Sequence, residues 1–151
     1  MRTVSNILET KDEPGNSIDP SSMVIDALRK LISVNLSYLV VYENEEYLGI
    51  FSERDYTRKL VLEGRASRET MVRDVMTTDL PEVDLDNTVE DCMYLMNTRG
   101  TRYVAAFDGG KFAGIITLHD VLREALASKE NVFDNNLTNS LLDNDESGRI
   151  F

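Results

Sequence analysis

The sequence predicts an α+β fold, an α/β sandwich of two tandem β-α-β-β-α units related by a pseudo-twofold. Three observations predict it. A displacement of 65 residues lays Ile18–Val61 on Val83–Leu126 without a gap, and apolar positions agree nearly throughout. Identical residues fall at Asp19/Asp84, Val24/Val89, Asp26/Asp91, Tyr38/Tyr103, Gly49/Gly114, Ile50/Ile115, Asp55/Asp120 and Arg58/Arg123. Within each copy, a stretch with helical apolar spacing is followed by two short runs rich in β-branched and aromatic residues.

The first helix of copy one carries Val24, Ala27, Leu28 and Leu31, with Asp19-Pro20 upstream as N-cap and first-turn proline. Copy two repeats the stripe as Val89, Cys92, Met93 and Met96, which reads as core packing. Tyr38–Tyr42 and Tyr47–Phe51 are joined by Glu43-Asn44-Glu45-Glu46, a hairpin with a charged tip. Tyr103–Phe107 and Phe112–Ile116 are joined by Asp108-Gly109-Gly110-Lys111, a stronger turn signal. A last helix starts at Ser52 in one copy and Thr117 in the other. Val4-Ile7-Leu8 and Val72-Val75-Met76 predict matching lead-in helices.

The boundaries that follow are 1–62 for the first unit with its lead-in, 63–70 for a polar linker, 71–127 for the second unit and 128–151 for an acidic tail. From Glu130 that tail has five acidic residues and one basic, and mobility is expected beyond Leu142. Units of about 60 residues bury little surface alone, so the two are expected to share a core.

Lys plus Arg number 16 against 27 Asp plus Glu, a net charge of −11, which argues against a nucleic-acid partner. A pair of arginines can still reverse the field inside one cleft and admit a small anion. The amino terminus lacks the apolar run of a secretion signal, and no window reaches the roughly 18 apolar residues of a membrane span. The single Cys92 allows no internal disulfide and no thiolate metal cluster, and reads as a buried thiol. A cytoplasmic protein without membrane contact is expected.

The sharpest local pattern is Ser52-Glu53-Arg54-Asp55 with its counterpart Thr117-Leu118-His119-Asp120, each following a Gly-Ile strand. One reading is a helix capping box, the hydroxyl accepting from the third N–H. The other uses the same geometry for a ligand: a helix start favours phosphate, and a carboxylate there can accept ribose hydroxyls. Arg58 and Arg123, three residues past each acid, share its helix face, while Arg54 and His119 precede the acids. Spacing alone leaves both readings open. The ordinary role of His119 is a solvated surface residue.

The strand, Gly-Ile, Ser/Thr-x-x-Asp and helix pattern, repeated at this interval, resembles the CBS domain, named after cystathionine β-synthase. Gly49–Lys59 is similar to stand-alone CBS-pair proteins, and Arg73-Asp74-Val75-Met76-Thr77 resembles the usual lead into a second copy. The resemblance covers residues 1 to about 127. It implies a CBS pair that associates as a homodimer through its helices and acts on an effector protein. It also implies an adenine nucleotide (AMP, ADP, ATP or NAD(H)), or in some members S-adenosylmethionine, in clefts between the copies. Asp55 and Asp120 would then hold ribose, Ser52 and Thr117 would assist, and Ile18 and Val83 would clasp the base.

Two departures from the family pattern stand out. Ser37-Tyr38 replaces small residues, so the tyrosine either fills the base pocket or stacks on adenine. In the second copy Arg102 is kept as a phosphate contact, while Tyr103-Val104-Ala105 lacks the family's proline. Catalytic and metal residues are not expected: one His and one Cys supply neither a nucleophile–base pair nor a ligand set. The role expected is therefore an energy or redox sensor, with a ligand-free dimerisation scaffold as the alternative.

Overall fold

The computed structural model describes residues 2–11 and 15–127, so the acidic tail and its expected mobility lie outside the described residues. The elements run α1 (Val4–Thr10), β1 (Ser17–Ile18), α2 (Val24–Val34), β2 (Tyr38–Glu43), β3 (Glu46–Ser52) and α3 (Glu53–Asp55), which continues as a π-helical stretch, Tyr56–Val61. A 3-10 turn (Val72–Asp74) leads to β4 (Glu82–Asp84), α4 (Val89–Arg99), β5 (Tyr103–Asp108), β6 (Lys111–Thr117) and α5 (Leu118–Ala127). Both copies are thus β-α-β-β-α. Among the described residues, no helix is long and apolar enough to cross a membrane.

Each copy makes a three-stranded sheet, ordered β1-β2-β3 or β4-β5-β6, with the first pair parallel and the second antiparallel. Alternation divides the strands by face. Leu39, Val41 and Phe51 pack with Val24, Ala27 and Leu31 of α2, while Val104, Ala106 and Ile116 pack with Val89, Cys92 and Met96 of α4. The opposite-face residues Val40, Ile50, Ala105 and Ile115 are buried as well, which explains why these strands read as continuous apolar runs. Cys92 is wholly enclosed, and burial, with Asp91 adding to it, pushes its thiol up to about 11.

The chain folds into two compact units that exchange their lead-in segments. One takes the described residues up to Lys11 together with those from Leu80 on, and the other runs from Gly15 to Asp79. Val4 and Ile7 of α1 enter the apolar cluster of Val83, Val104 and Val121, whereas Val72 and Val75 enter that of Val24, Leu39 and Leu60. Backbone bonds repeat the exchange. Val4 and Ser5 N–H donate to Asn87 and Leu85 carbonyls, and Val72 and Arg73 N–H donate to Ser22 and Pro20. Pro20 and Ser22 are the 65-residue counterparts of Leu85 and Asn87.

Three local expectations change. The second lead-in is a single 3-10 turn rather than a helix, although its first N–H groups bond to the 20–22 loop just as those of α1 bond to residues 85 and 87. Asp19-Pro20 does not start α2. Asp19 instead closes a turn by accepting from Ser21 N–H and hydroxyl, and α2 begins at Val24 with its first N–H groups given to Thr70 and Ser67 carbonyls. The linker is therefore the N-terminal cap of α2. Both hairpin links shrink to two residues, since Glu43 pairs with Glu46 and Asp108 with Lys111.

Candidate functional site

Each motif sits where an antiparallel strand turns directly into a helix. Ser52 and Thr117 end β3 and β6, in register with Tyr38 and Tyr103, the first residues of β2 and β5. Both tyrosines are buried yet belong to neither apolar cluster. The capping geometry is present in both copies. Asp55 N–H donates to Ser52 Oγ at 3.2 Å and Ser52 N–H to Asp55 Oδ2 at 3.0 Å. Asp120 N–H donates to Thr117 Oγ1 at 3.1 Å and Thr117 N–H to Asp120 Oδ2 at 2.9 Å.

The residue before each tyrosine closes the helix start. Glu53 N–H donates to the Ser37 carbonyl at 3.0 Å, and Leu118 N–H to the Arg102 carbonyl at 2.8 Å. Of the first three helical N–H groups, the first and third are thus used within the protein in both copies. The backbone cradle available to an anion is narrower than a bare helix start would give.

The carboxylates are met by partners that spacing did not identify. Asp55 Oδ1 accepts from Thr77 Oγ1 at 2.7 Å and pairs with Lys59 Nζ at 3.0 Å, while Ser52 Oγ adds a bond to Oδ2 at 3.2 Å. Asp120 Oδ2 pairs with Lys11 Nζ at 2.8 Å, and the same ammonium donates to the Ile115 carbonyl at 2.6 Å. Lys59 had a legible signal, four residues past an acid on one helix. Thr77 and Lys11 had none, because they arrive from exchanged segments 22 and 109 residues away.

The approach of Thr77 also explains a glycine. Thr77 and Ile50 exchange backbone bonds of 2.8 and 3.0 Å, and a Cβ on Gly49 would lie 2.1 Å from the Thr77 carbonyl oxygen. Only glycine lets that backbone in.

The remaining predicted residues divide. Arg54, Arg58 and Arg102 are exposed, and Arg58 makes no hydrogen bond or ion pair among the described residues. Lys59 rather than Arg58 is the base on the first acid. His119 is not the solvated residue expected: it is 6% exposed, with Arg123 Nη2 placed 2.9 Å from its Nε2 one turn on. Guanidinium only donates, so Nε2 is the acceptor. Ile18 packs beside the α2 cluster and Val83 is buried in the α4 cluster, each paired with the middle strand of its sheet. A cavity of about 370 Å³ lined by Asp84, Leu85, Asp86, Asn87, Phe107, Asp108 and Gly109 contains none of the predicted site residues, and its three carboxylates disfavour phosphate.

A model of the CBS domain matches residues 4–62 and again 72–127. The chain is 32% identical to the CBS domain-containing protein CBSX3, mitochondrial, of Arabidopsis thaliana, over 80% of this chain and 63% of that protein. It is 35% identical to a protein of Methanopyrus kandleri over 58% of this chain and 45% of that one, so it spans less than two thirds of these curated relatives. Among solved structures, a protein with CBS domains from Burkholderia ambifaria MC40-6 superposes with a TM-score of 0.78 at 31% identity, covering 88% of this chain and 98% of that one. CBSX2, solved in complex with AMP, superposes with a TM-score of 0.66 at 25% identity, covering 86% and 100%.

Proposed function

Because the chain belongs to the CBS-domain family and carries two such domains in tandem, we propose that it is a regulatory module that binds an adenine nucleotide. AMP, ADP, ATP or NAD(H) would act as the signal of energy or redox state, and the protein would bind it without turning it over. The observation that carries this is the repeated motif: in both copies an acid is fixed at a helix start, beside a strand led by a buried tyrosine. The relative CBSX2, of the same fold, holds AMP.

In this reading the two motifs offer two candidates for the ribose acceptor, Asp55 or Asp120, with Ser52 or Thr117 beside it. Ser37, Tyr38, Tyr103, Ile18 and Val83 are the candidate surroundings of the base. Arg54, Arg58, Arg102, His119 and Arg123 supply the local positive field that a chain of net charge −11 needs to admit a phosphate. Work in the cytoplasm suits the lone buried thiol. A homodimer suits the helix-borne apolar side chains left exposed, Ile32 on α2 and Tyr94 on α4.

The test is calorimetry and thermal shift with adenosine, AMP, ADP, ATP, NAD(H) and S-adenosylmethionine. A ligand at a hundred times its Kd stabilises the fold by about 2.7 kcal/mol. Phosphate-bearing ligands should outbind adenosine at low salt, with the gap closing as salt rises. Absence of binding by all six sinks the sensor reading and leaves a scaffold, and turnover would make the protein an enzyme.

A further inference from the structure

Resting on the nucleotide reading above, we propose that only the second motif takes the ligand. Asp120 receives the ribose diol, and Asp55 is a structural clamp that closes the first motif. The difference lies in how each carboxylate is already used. A carboxylate offers about four acceptor positions, two per oxygen. Asp55 has donors for all of them: Ser52 N–H and Ser52 Oγ on Oδ2, Thr77 Oγ1 and Lys59 Nζ on Oδ1. Asp120 has Thr117 N–H and Lys11 Nζ on Oδ2, and its Oδ1 has no hydrogen bond among the described residues.

A ribose diol brings two hydroxyl donors to one carboxylate. At Asp55 they would have to displace Thr77 and Lys59, and Thr77 is fixed by its backbone exchange with Ile50 against a glycine. At Asp120 they find an oxygen with both positions open, on a residue whose side chain is 11% exposed against 6% for Asp55. The second acid is ready to accept. The first is spent on holding the exchanged segment.

The test titrates AMP and 2′-deoxy-AMP into the wild type, Asp55→Asn and Asp120→Asn, with melting curves beside the calorimetry. The wild type should bind one AMP per chain and bind the deoxy analogue at least tenfold more weakly. Asp55→Asn should keep that ratio and stoichiometry while melting lower. Asp120→Asn should weaken AMP at least tenfold and bring the ratio near one, a change that mere loss of a cap would not produce. A second variant, Lys59→Met with Thr77→Val, frees Asp55 Oδ1 and should raise the stoichiometry toward two, and a value staying at one overturns the proposal. So does a wild-type stoichiometry of two, or collapse of the ratio in Asp55→Asn instead. Binding that ignores the 2′-hydroxyl overturns this proposal and leaves the nucleotide reading standing, whereas no binding of either nucleotide overturns this proposal and leaves the nucleotide reading to the other ligands of the calorimetric screen.

Discussion

The two Ser/Thr-x-x-Asp motifs share a capping geometry to within a few tenths of an ångström, yet their acids are neutralised by different means. In the first, position i+4 is Lys59, which pairs with Asp55 along its own helix. In the second, the equivalent position is Glu124, which pairs with Arg2, and the cation on Asp120 comes instead from Lys11 at the end of α1. The helix after the first acid is π-wound over Tyr56–Val61, while α5 is regular. The capping contacts within three residues of each acid were thus kept by the repeat, and the cations that neutralise the acids were replaced. The teaching is that a duplicated motif conserves its turn more strictly than its electrostatic environment.

The largest expected effect tests what holds the first motif closed. Gly49→Ala would put a methyl against the Thr77 carbonyl, an atom of backbone held on both sides by bonds to Ile50. Neither chain can yield without losing those bonds, so the cost should be about 3 kcal/mol, at the upper end for overpacking. Urea denaturation measures it. A cost below about 1 kcal/mol would mean that the segment around Thr77 yields easily and that the clamp on Asp55 is soft.

A smaller effect should separate the two lysines. The Lys11–Asp120 pair is shielded, with side chains 17% and 11% exposed, whereas Lys59 is 44% exposed. Removing Lys11 leaves Asp120 with little water and, among the described residues, only the Thr117 N–H, whereas Asp55, itself 6% exposed, keeps the Ser52 and Thr77 donors when the more exposed Lys59 is removed. Lys11→Met should therefore cost about 2 kcal/mol, between the regimes of exposed and buried pairs, and Lys59→Met about 0.5 kcal/mol. Thermal unfolding of both variants decides, and equal costs would erase the distinction between a long-range and a local partner.

Much of each unit was legible because its signals are local. Hairpins, helical stripes and the capping boxes at Ser52 and Thr117 all follow from residues within a few positions of one another. Exchange of the lead-in segments was not legible, since Val4 and Val72 look alike and their apolar side chains suit either cluster. Thr77 and Lys11 were missed for the same reason: nothing near them in sequence marks the acid they meet. His119 misled because a polar residue at a helix start is ordinarily wet, and its burial depends on how α5 packs. The site was readable as a turn, and its neutralising partners were not.

The smallest prediction returns to the hairpin tips, where the copies differ by two residues. Both tips turn through two positive φ values: Asn44 at 53° and Glu45 at 66° in the first, Gly109 at 58° and Gly110 at 86° in the second. A turn of this kind matches the twist of the flanking strands and demands the left-handed region at both positions. Glycine enters that region without penalty and asparagine with little, but a residue such as Glu45 is strained there by about 1–2 kcal/mol. Replacing it by glycine relieves that strain, and it also gives the unfolded chain more freedom, which offsets about 0.4–1 kcal/mol of the gain. Glu45→Gly should therefore stabilise the protein by about 0.5 kcal/mol, an increase in urea midpoint with no change in slope. The removed charge adds little to either side, because Glu45 is exposed at the tip. A fall in stability would mean that Glu45 makes a favourable contact at the tip that outweighs its backbone strain, and that the charged hairpin is more than a looser version of the glycine one.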